Sequence, residues 1–252
     1  MNIRNEIPTR ERARDGIEER ILKHCGPLFF VTSLTPPVEV VCNGTYGLVD
    51  TGKKKVMVTC HHVWDYLHEA RQIHPKAEIA MNLAPGQSFA ISDAEIIDAD
   101  RDLDIVVVDP KLRDDDFSQK EFFRIPNQPI APIRDGEAIA FAGYPEAEFV
   151  CSDNCGTFRS AFFGLHVTSV SDRSILLLND QNNRSLVGLY GEALSPIKMS
   201  GVSGSPAYRL GASGLELVGL VKGGFSSDGL IQLTKIYCLT PDGKIQKIAG
   251  HE

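Results

Sequence analysis

The sequence predicts an all-β protein, a barrel or sandwich of short strands. Three observations carry that expectation. Short β-rich runs recur along most of the chain, separated by Gly, Pro, Asn and Asp, which punctuate turns. Long helical patterns are few. The composition, 42% hydrophobic and 23% charged, is that of an ordinary globular chain and excludes disorder or low complexity for its bulk.

Taken in order, residues 1–25 read as a helix. Asp15 and Glu18 have capping-box spacing, and Ile17, Ile21, Leu22 and Cys25 fall on one face. Such a helix packs on its own domain or serves as an arm for a protein partner. From Pro27 the texture turns to strands: Leu28–Thr32, Val38–Cys42, Tyr46–Val49, Val56–Cys60, Ile105–Val108, Ala138–Ala142, Ser174–Leu178, Leu217–Val221 and Ile236–Leu239. Asp50-Thr51-Gly52-Lys53 between two apolar runs is a hairpin signal. The polar stretch Asp109–Gln128 reads as a connection between two halves, somewhere near 112–134. Thr240-Pro241-Asp242 opens a short C-terminal helix over Thr240–Ile248.

At 252 residues the chain fits one large β domain or two small ones, enough to bury a core without staples. The net charge of −7 argues against a general nucleic-acid binder, which must neutralise phosphates. No segment reaches the ~18 apolar residues of a membrane span. Met1–Arg20 is highly charged without an apolar core, unlike a secretory signal. A cytoplasmic protein is therefore expected, with Cys25, Cys42, Cys60, Cys151, Cys155 and Cys238 as reduced thiols. Cys151 and Cys155 have CxxxC spacing, and Cys42 and Cys60 could face each other across a hairpin. Neither pair, nor the His61-His62 doublet, completes a zinc-ligand set of the usual spacing, so no metal or cofactor is expected.

Three strings carry chemistry. Val56–Val63 is a strand ending in His61-His62, and imidazole is the usual general base near neutral pH. In Asp102–Val108, Asp104 opens an apolar run, where a buried carboxylate needs a partner such as a His N–H. In Gly201-Val202-Ser203-Gly204-Ser205-Pro206 the glycines permit a tight backbone that can aim two N–H groups at one point. Each string alone has an ordinary structural reading: a satisfied core histidine, a turn cap, a Gly/Ser turn. Together they give His, Asp and Ser in an all-β texture, the residue types that activate a serine hydroxyl.

In these strings the chain resembles a chymotrypsin-like (trypsin-fold) serine peptidase of the bacterial type, over roughly residues 28–248. Thr59-Cys60-His61-His62-Val63 resembles the family's T-A-A-H-V/C motif. Asp104-Ile105-Val106-Val107-Val108 resembles D-[IL]-A-[LV]-[LIV], and Gly201–Pro206 resembles G-[DN]-S-G-[GS]-P. Asn43–Val49, Phe141–Pro145 and Val218–Val221 resemble further family segments. The resemblance implies two six-stranded antiparallel β-barrels with the site between them: a helical segment over 1–26, a first barrel over 27–125 and a second over 126–252. It implies Ser203 as nucleophile, His62 as general base, Asp104 as its orienting carboxylate, and the Gly201 and Ser203 N–H groups as an oxyanion hole.

The departures are informative. Val202 replaces the acidic residue that receives a newly cut N-terminus in many members, so no zymogen activation of that kind is expected. His61 replaces a small residue, and Lys222 replaces a small hydroxyl residue that often supports the Asp. Ile197 falls near the floor of the specificity pocket, where no carboxylate would pair a basic side chain. A small or apolar substrate residue is favoured, though Lys198 and Lys222 could attract an acidic one. Lys222, Gly223 and Gly224 would form the edge on which an extended polypeptide substrate pairs. The expected function is that of a serine endopeptidase. The alternative is a silent or partner-activated protease fold that only captures a peptide or protein. An α/β-hydrolase is excluded by the chain order of the three residues and by Ser205, where its G-x-S-x-G elbow needs Gly.

Overall fold

The computed structural model describes residues 9–31, 40–84, 87–91, 93–126, 131–146, 149–152, 155–178, 200–211, 214–225 and 229–246. The chain opens with helix α1 (Thr9–Leu22), then strands β1 (Cys25–Val31), β2 (Val40–Asp50) and β3 (Lys55–Thr59). Helix α2 (His61–Ile73) follows, then β4 (Glu78–Ala84), β5 (Gln87–Ala90), β6 (Glu95–Asp100), β7 (Ile105–Asp109) and the short β8 (Phe123–Arg124). The second half holds β9 (Ala138–Gly143), β10 (Phe149–Ser152), β11 (Cys155–Phe158), β12 (Ala161–Val170), β13 (Ser174–Leu178), β14 (Pro206–Gly211), β15 (Gly214–Phe225) and β16 (Leu230–Lys235).

The chain is mostly β, and among the described residues the first half forms no closed barrel while the second does. There six strands run β12-β13-β16-β15-β14-β9, with β10 and β11 as a separate ladder. The first half, expected as a second barrel, is an open sheet in the order β5-β4-β1-β2-β3-β7-β6, with β8 beside β2. Its end strands β5 and β6 do not pair with each other, and along both the side chains are exposed or half-buried.

The strand period of two divides the first sheet between two cores. Phe30, Leu48, Met57, Met81 and Val108 pack with Val63, Trp64 and Leu67 of α2. Their neighbours Val49, Val56, Val58 and Val107 turn the other way and meet Ala140, Tyr208 and Leu220 of the barrel. A continuous apolar layer therefore joins the two halves. Ile21 of α1 is fully buried in that layer, a burial worth about 2–3 kcal/mol.

Several expectations are corrected. α1 ends at Leu22, and Cys25 already belongs to β1. Asp15 and Glu18 lie inside the helix, so they do not cap it. Ile21 is buried, and Ile17 and Leu22 pack beside it, so this end of the helix lies against the protein. α2 was not expected: the strand-like run Val56–Val63 masks the helical spacing of Val63, Trp64, Leu67 and Ala70, all buried. Ile236–Cys238 is a 3-10 turn rather than a strand. The described part of the expected C-terminal helix is a tight turn, with Gly243 N–H donating to Thr240 O (2.9 Å) and an isolated bridge between Leu239 and Ile245. Pro-Asp-Gly is turn chemistry, and here it outweighs the helix start. The Asp50–Lys53 hairpin forms, with Asp50 opposite Lys55. Cys42 pairs through its backbone with Phe30, away from Cys60. Cys25, Cys60 and Cys238 are free thiols. Among the described residues no helix is long and apolar enough to cross a membrane.

Candidate active site

Two adjacent chain reversals bring His62 and Asp104 together. β3 ends at Thr59 and α2 begins at His61, so His62 lies in the first helical turn behind the extended Cys60. β7 pairs with β3, with Val106 opposite Thr59, so the turn that precedes β7 leaves the same end of the sheet. In that turn Asp104 takes the left-handed conformation, φ +57°. This costs an L residue about 1–2 kcal/mol, and Asp is among the few that tolerate it. Both carboxylate oxygens are engaged by one residue: the His62 backbone N–H donates to Oδ1 (2.9 Å) and ring Nδ1 to Oδ2 (2.7 Å). His61 N–H donates to the Asp104 carbonyl (3.2 Å), fixing the turn against the helix start.

The electrostatics follow from that geometry. Burial alone would raise the Asp104 carboxyl, but the hydrogen bonds from the His62 ring and backbone outweigh it and hold it below its ordinary value. Ionised Asp104 only accepts, so Nδ1 carries the proton and Nε2 is the basic nitrogen. The carboxylate is 7% exposed and the imidazole 51%, leaving the ring open on its far side. Nε2 has no hydrogen-bond partner among the described residues.

Ser203 lies in the turn before β14, and one peptide links it to His62. The Val221 carbonyl accepts from Gly204 N–H (2.8 Å), next to Ser203, and from the Cys60 thiol (3.1 Å), two residues before His62. Burial holds the Cys60 thiol well above its ordinary pKa, and the Asp104 charge adds to that, so it remains a donor. Ser203 Oγ donates to the Lys222 carbonyl at 3.2 Å, not to His62. A bulge in the β15–β16 ladder between Val221 and Gly223 takes Lys222 out of register and frees its carbonyl for this contact. Gly223 and Gly224 continue the strand opposite Gln232 and Ile231. Ile197 and Lys198 lie outside the described residues.

The loop around Ser203 is pinned at two peptides. Ser200 O accepts from Glu146 N–H (2.8 Å), and Val202 O accepts from Ser205 N–H (3.1 Å) and Ser205 Oγ (2.6 Å). In a trans peptide the N–H opposes the C=O. The Gly201 and Ser203 N–H groups therefore point away from these anchors, and neither meets an acceptor among the described residues. Gly201 and Gly204 both have φ +89°. At Gly204 a Cβ would collide with the Thr45 carbonyl and the Thr59 hydroxyl, so glycine is required for conformation and for space.

The donor atoms of Cys60, His62 and Asp104 lie within 4.8 Å of one another, the one such group of possible metal ligands among the described residues. Their arrangement suits a hydrogen-bond network better than an ion. The 2.7 Å between Nδ1 and Oδ2 is a hydrogen bond, shorter than the ~3.3 Å separating two ligands of tetrahedral zinc at ~2.0 Å each.

Sequence reasoning missed Thr45, Cys60, Glu146 and Ser205. Thr45, Cys60 and Ser205 are fully buried, and hydroxyls or thiols inside strands and Gly/Ser turns were the available signal.

No protein-family model and no curated protein matches the chain. Among solved structures it is similar to the serine protease domain of the Sesbania mosaic virus polyprotein, at 14% identity and a TM-score of 0.46, over 85% of this chain and 89% of that one. At that distance the likeness says nothing about the chemistry.

Proposed function

We propose that the chain is a serine endopeptidase. The carrying observation is the buried Asp104 carboxylate gripping His62 through both backbone and ring, on the rim opposite a glycine-shaped loop that presents Ser203. In this reading Ser203 Oγ turns from Lys222 O toward Nε2. Leaving Lys222 O gives up one neutral hydrogen bond, about 1 kcal/mol. Oγ then attacks the substrate carbonyl carbon as Nε2 takes its proton. The resulting oxyanion is received by the Gly201 and Ser203 N–H groups, each worth about 3–4 kcal/mol in such sites. Nε2 next gives the proton to the departing amine as the C–N bond breaks. Water, activated by the same imidazole, hydrolyses the acyl-serine. The edge at Lys222, Gly223 and Gly224 pairs with the extended substrate.

A second reading has one observation in its favour, the Ser203 hydroxyl bonded to Lys222 O instead of His62. It is a silent fold that captures a peptide or protein, or one switched on by a partner. Labelling with an alkyl fluorophosphonate separates the two. The wild type should be labelled at Ser203, and Ser203→Ala should lose both labelling and peptide hydrolysis with a melting temperature within a few degrees of wild type. Labelling that persists in Ser203→Ala refutes the assignment. A wild type that stays unlabelled, alone and in cell lysate, favours the silent fold.

A further inference from the structure

Thr45, on β2 of the first half, is fully buried, and all of its polar groups are committed at the boundary with the second half. Its N–H donates to Ser203 O (2.9 Å), and its hydroxyl donates to Gly201 O (2.9 Å). The same oxygen accepts from Tyr144 N–H (3.2 Å), and its carbonyl accepts from the Thr59 hydroxyl (2.7 Å). Two residues earlier, Asn43 Nδ2 donates to Tyr144 O (2.7 Å). One strand of the first half thus holds both the serine loop and the end of β9.

We propose that Thr45 is the positioning residue of the oxyanion loop, its side-chain hydroxyl holding the Gly201–Val202 peptide, which lies between the two peptides that carry the Gly201 and Ser203 N–H groups and so sets how those groups converge on the developing charge. This rests on the peptidase reading above. The Ser200 and Val202 carbonyls are anchored from within the second half, by Glu146 and Ser205. The Gly201 carbonyl between them is held from across the boundary, by Thr45. Gly201 sits at φ +89°, and glycine has wide backbone freedom, so this third anchor fixes the one peptide of the loop that can turn most easily. Thr45 touches no reacting atom; it acts through the loop.

The test uses the full chain with Thr45→Val, which keeps side-chain volume but removes the hydroxyl, and Thr45→Ser, which restores it. Should Val crowd the site, Thr45→Ala replaces it. Four quantities are measured: the labelling rate of Ser203 by an alkyl fluorophosphonate, kcat and KM on a cleaved peptide, the melting temperature, and hydrogen exchange of peptides spanning 200–205. Thr45→Val should label about 100-fold more slowly, with kcat reduced and KM nearly unchanged. Its 200–205 amides should exchange faster, and Thr45→Ser should recover both properties. A lowered melting temperature with kcat and labelling unchanged in the folded fraction overturns the proposal, as does a Ser variant as slow as Val. If wild type is never labelled, the peptidase reading falls by itself. Exchange then decides the role of Thr45: faster in Val and restored in Ser supports the loop anchor, and no change overturns it.

Discussion

Asp104 combines a strained backbone with a carboxylate whose two oxygens serve one imidazole residue. Asn tolerates the left-handed conformation at least as well as Asp, so Asp104→Asn should fold. It cannot hold the ring in the Nδ1–H tautomer, and kcat should drop by about four orders of magnitude. The same variant tests the electrostatics. Asp104 is held below its ordinary value in the folded state, so its stabilisation is complete above the unfolded carboxylate value of about 3.9. It is lost as pH falls through the lower folded value. Melting temperatures of wild type and Asp104→Asn, compared from pH 7 to pH 2, should therefore converge below about pH 4. A gap that stays constant would contradict the shift. The contact between His62 and Asp104 was legible in the sequence because each residue closes or opens a short, locally recognisable string; the part given to Ser203 belongs to the proposal. Thr45 was not legible, since its role depends on a partner 156 residues away and on a register no local pattern encodes.

Elements were legible where one period dominated. The hairpin between β2 and β3 appears as expected, whereas the runs expected at Val38–Cys42 and Tyr46–Val49 belong to one strand, β2, and β1 starts at Cys25, ahead of the expected Leu28. α2 was not legible, because its first residues finish a β-rich run, so the helical spacing starts inside what reads as a strand. The end of the chain failed for a different reason: a turn and a helix start share the same residues, and only packing chooses between them. The serine turn shows how tightly elements constrain one another. Gly204→Ala would need φ +89° from a residue with a Cβ and would press that atom on the Thr45 carbonyl and Thr59 hydroxyl. The backbone term alone is about 1–2 kcal/mol, so a loss of more than 2 kcal/mol is expected in chemical denaturation. Retention of full stability would mean that the turn rearranges freely.

For the molecule as a whole, the sequence led to two like halves, whereas the structure has one closed barrel and one open sheet joined by a shared apolar layer. The residues that face each other at this layer lie on strands distant in sequence, so closure and docking were beyond the reach of periodicity. The terminal turn also spans the layer. Thr51 Oγ1 donates to Pro241 O (2.6 Å), Ile245 N–H donates to Asp98 Oδ2 (2.8 Å), and Lys53 pairs with Asp242 at 3.2 Å. The last described stretch is in effect a clasp sewn across the seam. Trimming the chain back to Leu239 would unfasten it and loosen the rims carrying imidazole and hydroxyl, while the apolar layer keeps the halves together and each half keeps its own ladders. Such clipped molecules should show an intact far-ultraviolet circular dichroism spectrum yet lose reactivity toward the phosphonate, so inactivation by a carboxypeptidase would run well ahead of unfolding.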